Sequence, residues 1–280
     1  MFESYFGFRA SPFQLSPDPR FLYESRGHSN ALAYLKYGVY QGEGFVVVTG
    51  EIGAGKTTLV KALLEMMDSS KIVAAQVVNT QLDSDDLLRT IATAFGVRSS
   101  GISKSAIIST LEACFTAHAA AGRRALLVID EAQNLGLREI EELRMLSNFQ
   151  LGNQALLQSF LVGQPELRQM LQSKSMEQLR QRVIASCHLG PLTKDETRCY
   201  IEHRLRHVGW TDLPQFDDAV FASIHAVSEG IPRRINLLCT RILLAVFLGS
   251  RTRIEAQDVS SAALEMGSEI SGVLPLAPAA

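Results

Sequence analysis

The sequence predicts an α/β architecture: a five-stranded parallel sheet flanked by helices, followed by a smaller all-helical domain. Three observations carry that prediction. Up to about residue 190, short continuous apolar runs alternate with segments of helical spacing, the pattern of strands buried on both faces with crossover helices between them. A glycine-rich turn, Gly50-Glu-Ile-Gly-Ala-Gly-Lys-Thr57, separates the first strong apolar run from the helical segment that follows it. From Thr193 to Met266 the spacing is helical throughout, with no run long enough to join the sheet.

The first strand is read at Phe45 to Val48, and Leu59, Leu63, Met66 and Met67 repeat at helical spacing after the turn. Strand, glycine loop and helix in that order are the context in which G-x-x-x-x-G-K-T cradles phosphate. The backbone of Gly50, Glu51, Ile52, Gly53, Ala54 and Gly55 curls so that its N–H groups face one point, and the helix N-terminus adds positive potential there. Lys56 is expected to reach the β- and γ-phosphates of ATP, the Thr57 hydroxyl to ligate Mg²⁺, and Thr58 to complete the cradle. The competing reading is an ordinary glycine turn before a helix.

Ile72 to Val78 reads as the second strand. Ala125 to Asp130 reads as the third, ending in two carboxylates, Asp130 and Glu131. Asp130 suits the Mg²⁺ shell and Glu131 the activation of an attacking water; the structural alternative is a helix cap. The adjacent glutamate also points to the branch of phosphate-loop ATPases with an extra strand between the loop strand and the acidic strand. Leu156 to Gly163 is the fourth strand and ends at Gln164, a polar side chain at the carboxyl end of a strand, where ligands bind in α/β sheets. Gln164 is thus placed to sense the γ-phosphate or orient water. Ile184 to Leu189 is the fifth strand.

Helices are expected at His28 to Tyr40, from Asp83 or Ser84 to Gly96, from about Lys104 to Gly122, and at Leu135 to Phe149. His118 shares the apolar face of its helix and reads as a packed histidine. In the helical domain, Thr193-x-x-Glu196 is a capping box, and four helices are centred on Tyr200 to Val208, Val220 to Val227, Ile235 to Leu248 and Val259 to Met266. Pro232 opens the third of them and puts Arg233 in its first turn. A cation there opposes the helix dipole, which calls for an anionic partner. The expected divisions are residues 1–36, an aromatic and proline-rich leader with the first helix packed on the core; 37–191, the α/β core; 192–267, the helical lid; and 268–280, a flexible tail. The leader aromatics, Phe2 to Tyr23, either cover the adenine end of a nucleotide or are plain packing.

Net charge is −2, so no overall basic footprint for nucleic acid exists. Four cysteines are widely spaced without C-x-x-C, which disfavours a metal or redox site and suggests buried reduced thiols. Met1 to Phe13 lacks the regions of a secretory signal, and the apolar stretch Ile242 to Leu248 falls short of the roughly 20 residues of a membrane span. A cytoplasmic chain is expected.

The motif set as a whole resembles AAA+ ATPases: an α/β nucleotide core, a helical lid, and an arginine in Gly230-Ile-Pro-Arg233. Pro17-Asp-Pro-Arg-Phe21, Gly50-Glu-Ile-Gly-Ala-Gly-Lys-Thr-Thr58, Asp130-Glu-Ala-Gln-Asn-Leu135, Val162-Gly-Gln-Pro-Glu-Leu167, Leu179-Arg-Gln-Arg182 and Gly230-Ile-Pro-Arg-Arg-Ile-Asn236 resemble the general secretion pathway protein A (ExeA) family. Arg144-Met-Leu-Ser-Asn-Phe-Gln150 and Tyr200-Ile-Glu-His-Arg-Leu205 resemble its subgroup associated with the exosortase/PEP-CTERM system. The resemblance implies a P-loop NTPase fold of the AAA+/ASCE kind, with Gln164 as first sensor, Arg233 as second, and Arg182 or Arg180 as an arginine finger reaching a neighbour's ATP. It also implies a homo-oligomer, ring or filament, that drives or switches a protein partner in envelope secretion, exopolysaccharide export or PEP-CTERM protein sorting, peripheral at the inner membrane through that partner. Secretion-type members carry a membrane span and a peptidoglycan-binding part after the ATPase; the resemblance here covers the ATPase, so those roles are not transferred. The alternative is a nucleic-acid-linked regulator of the transposition ATPase kind, and a third reading is a slowly hydrolysing scaffold.

Overall fold

The computed structural model describes residues 1–78 and 82–271. They divide into an α/β unit, Arg26–Ile52 with Lys56–Leu189, and a helical unit that combines Met1–Ser25, Gly53–Gly55 and the chain from Gly190 onward.

In the α/β unit the apolar runs form β1 (Phe45–Gly50), β2 (Ile72–Val77), β3 (Arg124–Ile129), β4 (Leu157–Gly163) and β5 (Val183–Leu189). They make one parallel sheet in the order β2-β3-β4-β1-β5. β4 therefore lies between the glycine-loop strand and the acidic strand, as the adjacent glutamate implied. Every residue of β1 and β4 is buried, which is why these strands read as unbroken apolar runs instead of alternating ones. Val47, Leu127, Ile129 and Leu161 belong to a core shared with Leu87, Leu88 and Ile91 from Ser84–Ala94 and Ile107, Leu111 and Phe115 from Lys104–Ala120. The helix Arg26–Gln41 comes so close to Val46 of β1 that Gly38 has no room for a Cβ. Gln158, buried inside β4, is satisfied by donating from Nε2 to Gly38 O at 2.6 Å and Glu43 O at 3.1 Å.

The helix after the acidic pair differs in extent from its prediction. The helix expected over 135–149 runs Leu137–Leu146, and Gln150–Leu151 pairs antiparallel with Gln154–Ala155. Gly152, at φ 62°, supplies the left-handed residue that this tight turn needs. Asp83 and Ser103 each cap the helix that follows by accepting backbone N–H bonds.

The helical unit contains Lys194–His207, Asp218–Ser228, Pro232–Leu248 and Ala256–Ser271. Both halves of the capping box at Thr193 and Glu196 are formed, at 3.2 and 2.9 Å. The leader, expected to pack with the first helix on the α/β core, groups with this helical unit. Phe2, Phe6, Phe8, Phe13 and Phe21 join one apolar cluster with Ile201, Leu205, Ile224, Leu238, Ile242 and Val246. Burial of five phenyl rings in that cluster, each worth about 1.5–3 kcal/mol when removed from water, holds the leader in this unit. The helix Arg26–Gln41 groups with the α/β unit instead.

A buried arginine ties the leader down. Arg204, 6% exposed, donates to Pro12 O at 2.6 Å, Gln14 O at 3.3 Å and Tyr200 Oη at 2.8 Å. Its guanidinium lies 4.7 Å from the centre of the Phe21 ring. Tyr200 Oη passes the chain on to Asn236 Oδ1 at 2.8 Å. Cys199 is exposed, against the expectation of four buried thiols, because it faces outward on the same helix; Cys239 is buried and Cys114 and Cys187 partly so. His118 is packed as expected: its Nδ1 is buried without a partner, and burial pulls its pKa below the usual histidine value. The tail expected over 268–280 begins instead as helix through Ser271; the rest of it lies outside the described residues.

Arg204→Met should destabilise the helical unit by about 2–4 kcal/mol, because it strands buried carbonyl and hydroxyl partners. Chemical denaturation and the rate of proteolytic cleavage within residues 1–25 check this; both are expected to shift towards instability together.

Candidate functional site

Parallel register decides which side chains meet. Thr49 of β1 pairs with Gly163 of β4, and Ile129 of β3 pairs with Leu161 of β4. One residue further on lie Gly50 and Gln164, and Asp130 and Glu131 directly follow Ile129 at the end of β3. The carboxyl ends of three adjacent strands thus present Gly50, Gln164 and Asp130-Glu131 along one edge, with β1 and β3 about 10 Å apart across β4. That edge, beside a glycine loop, is where ligands bind in sheets of this kind.

The loop itself is built by backbone crowding. Gly50 runs so close to β5 that a Cβ would sit 2.5 Å from Leu189 O, and Gly53 and Gly55 hold φ of 83° and 99°, a region open to glycine. Gly53–Gly55 group with the helical unit, where Arg233 donates its backbone N–H to Gly53 O at 3.2 Å. Pro232 does open its helix, and the Arg233 side chain is exposed in the first turn. Ala54 is buried, whereas Glu51 and Ile52 are exposed. Thr57 and Thr58 sit in the first turn of the helix Lys56–Met66.

Lys56 is 6% exposed and its ammonium donates to Gly50 O at 2.7 Å and Glu51 O at 3.0 Å. Burial pulls its pKa down, while Glu131, Asp130, Glu51 and Glu166 oppose that pull. The surrounding acids favour the charged form of this ammonium against its burial, so a cation stands at the loop where a phosphate oxygen would be met. Beside it, Thr57 Oγ1 donates to Asp130 Oδ2 at 2.9 Å. One hydroxyl and one carboxylate are the hard oxygen donors that Mg²⁺ takes from proteins, the remainder of its shell being water and phosphate. Among the described residues no group of three or more His, Cys, Asp or Glu could hold a metal, so a dedicated all-protein cage is not the chemistry this donor set fits.

Glu131 occupies left-handed backbone, φ 52° and ψ 37°, a conformation that costs a non-glycine residue energy and gathers at functional sites. Its N–H donates to Asp130 Oδ1 at 3.0 Å. It precedes the short turn Ala132–Asn134, yet its carboxylate makes no capping bond there, which removes the helix-cap reading. Instead Glu131 Oε2 accepts from Gln164 Nε2 at 3.0 Å and from Gln133 Nε2 at 2.6 Å. Burial pushes the Glu131 carboxyl up, but these two amides and the Lys56 charge outweigh it and hold the pKa below the usual glutamate value. Gln133 also accepts the Gln164 backbone N–H on Oε1 at 2.9 Å. Sequence reasoning assigned Gln133 no role, although its position two residues after Glu131 was in view.

The two candidate finger arginines are engaged within the chain. Arg182 donates to Ser147 Oγ at 2.8 Å, at the end of the helix Leu137–Leu146, where a cation suits the helix dipole. Arg180 is exposed and reaches the carbonyls of Leu171 and Gln172 at 3.4 Å each.

With this geometry in place, comparison with known proteins is informative. Residues 39–171 match the family model of the AAA domain. The chain is 38% identical over 269 residues to General secretion pathway protein A of Aeromonas hydrophila, an alignment covering 95% of this chain and 48% of that protein, so the chain spans about half the relative's length. Among solved structures, Aeropyrum pernix ORC2 in ADPNP-ADP complexes superposes with TM-score 0.69 at 19% identity, covering 91% of this chain and 71% of that one. Aeropyrum pernix ORC1 in complex with DNA gives TM-score 0.70 at 18% identity, covering 96% and 73%. The fold is therefore that of an AAA P-loop NTPase. Among the described residues no helix is long and apolar enough to cross a membrane.

Proposed function

We propose that the chain binds ATP with Mg²⁺ and hydrolyses it, and that it is an ATPase of the general secretion pathway protein A kind. The observation that carries this reading is the assembly of Lys56, Thr57, Asp130, Glu131 and Gln164 at the carboxyl edge of the sheet, tied by the Thr57–Asp130 and Glu131–Gln164 hydrogen bonds. Lys56 and the loop backbone from Gly50 to Thr58 bind the phosphates. Thr57 and Asp130 would hold Mg²⁺, whose chemistry is to neutralise charge on the phosphate oxygens. Glu131, ionised at neutral pH, accepts a proton from the attacking water. Gln164 orients that water or the terminal phosphate, and Arg233 is assigned as second sensor on the resemblance to AAA+ ATPases alone.

The finer assignment draws on likeness alone. Identity to General secretion pathway protein A supports a role on a protein partner in envelope secretion, with peripheral placement at the inner membrane through that partner. Exopolysaccharide export and PEP-CTERM protein sorting rest on the wording of the subgroup motifs. A net charge of −2 lends the nucleic-acid alternative no support.

Lys56→Ala should weaken ATP binding at least about 30-fold, since it deletes a charge-assisted phosphate contact, with the fold intact by circular dichroism. Glu131→Gln should bind normally and lose turnover on the order of 10²-fold or more. Unchanged ATP affinity in a folded Lys56→Ala, or wild-type hydrolysis by Glu131→Gln, would overturn the reading.

Oligomeric action is proposed through an arginine of the Arg180–Arg182 pair acting on a neighbouring subunit, the Ser147 bond of Arg182 being released on assembly. An arginine supplied in trans is worth about 10³–10⁵ in rate. Hydrolysis per subunit should rise with protein concentration. Arg182→Ala mixed with Lys56→Ala should regain activity that neither has alone, since one brings an intact nucleotide site and the other an intact arginine. If mixed oligomers form without regaining activity, the same mixture with Arg180→Ala decides between the two arginines.

A further inference from the structure

We infer that Gln133 is a positioning residue that couples the water-activating Glu131 to the sensor Gln164; this rests on the ATPase reading above and extends it. The chemistry fixes how the Gln133 amide is oriented. Its nitrogen faces a carboxylate, which only accepts, and its oxygen faces a backbone N–H, which only donates. Neither bond survives an amide flip. One planar group therefore grips both Glu131 and the first residue beyond β4. The Glu131–Gln164 bond closes the set into a ring of three hydrogen bonds at 2.6, 2.9 and 3.0 Å.

Each member of the ring needs the others. Glu131 stands in left-handed backbone with no side-chain bond to the turn it opens, and the amides of Gln133 and Gln164 both meet its carboxylate. Gln164 starts the helix Pro165–Gln172 as N-cap, and its own side chain makes no capping bond. Its backbone N–H finds Gln133 Oε1, and its side chain is left to address the carboxylate. The space is cut to fit: a Cβ on Gly163 would lie 2.8 Å from Gln133 Oε1. A displacement of Gln164 by the terminal phosphate is thereby transmitted to Glu131 through a side chain that need touch neither water nor nucleotide. Gln133 sets the carboxylate's direction, and the carboxylate does the proton transfer.

Two substitutions separate the two bonds. Gln133→Met matches the length and makes neither. Gln133→Glu keeps an acceptor for the Gln164 N–H but replaces the donor by a like charge against Glu131. If Gln133 positions the base, both variants lose about 10- to 100-fold in kcat, as for a group misplaced by a fraction of an ångström or more. KM and the affinity for a non-hydrolysable ATP analogue should stay within about threefold on the same grounds. Hydrogen exchange at the Gln164 amide, followed by NMR on nucleotide-free protein, is the readout independent of turnover. Protection there should be lost in Gln133→Met and retained in Gln133→Glu. Unchanged kcat in both variants, equal losses in kcat and analogue affinity, or unchanged protection of the Gln164 amide in Gln133→Met would each overturn the inference. Lys56→Ala and Glu131→Gln run in parallel keep the cases apart: if those two behave as wild type, the ATPase reading has failed and not the coupling alone.

Discussion

The parallel register that brings three adjacent strand ends to one edge is the constraint on which the site depends. A parallel strand ends where its crossover begins, so neighbouring strands deliver their next residues to one edge without further folding work. β4, inserted between β1 and β3, does two things there. It spaces the glycine loop from the acidic pair by two strand widths, and it brings Gln164 into the gap. The Thr57–Asp130 hydrogen bond at 2.9 Å then spans the same gap from the helix side. Lys56, kept charged by the acids around it and anchored on loop carbonyls, is the cation that a phosphate oxygen would meet. Binding of a phosphate there would replace ammonium–carbonyl contacts by an ion pair with full charge on both partners.

The helical unit is organised by different forces. Its helices are short and amphipathic, and the core they enclose is completed by the aromatic leader from the other end of the chain. Arg204 makes that closure specific, because its donors meet backbone carbonyls of Pro12 and Gln14 whose placement depends on the leader's path. Phenyl rings alone would tolerate several arrangements; a buried guanidinium with directed donors does not.

Much of this was legible from residue patterns. The five strands, their insertion order and the loop follow from periodicity and from the glutamate beside Asp130. The capping box at Thr193 and the proline at the start of its helix followed from local rules that tertiary packing does not override. Other features were hidden for physical reasons. Aromatic and proline content shows that the leader is buried but not against what, since burial is non-directional. Gln133 was invisible because a neutral amide two residues past an acid is common; only the left-handed turn at Glu131 aims it at two partners. Arg182 and Ser147 are 35 residues apart in sequence, and no local pattern links them. The hairpin at 150–155 was masked by the helical spacing that precedes it.

The central claim is that the strand-end edge takes a magnesium-bound nucleoside triphosphate and cleaves it. The most direct measurement is equilibrium titration of the wild-type chain with ATP, with and without Mg²⁺, followed by phosphate release from the same samples. The account predicts saturable binding, a requirement for Mg²⁺ in turnover, and one phosphate released for each ADP formed. Absence of binding at millimolar ATP, or magnesium-independent phosphate release, would contradict it.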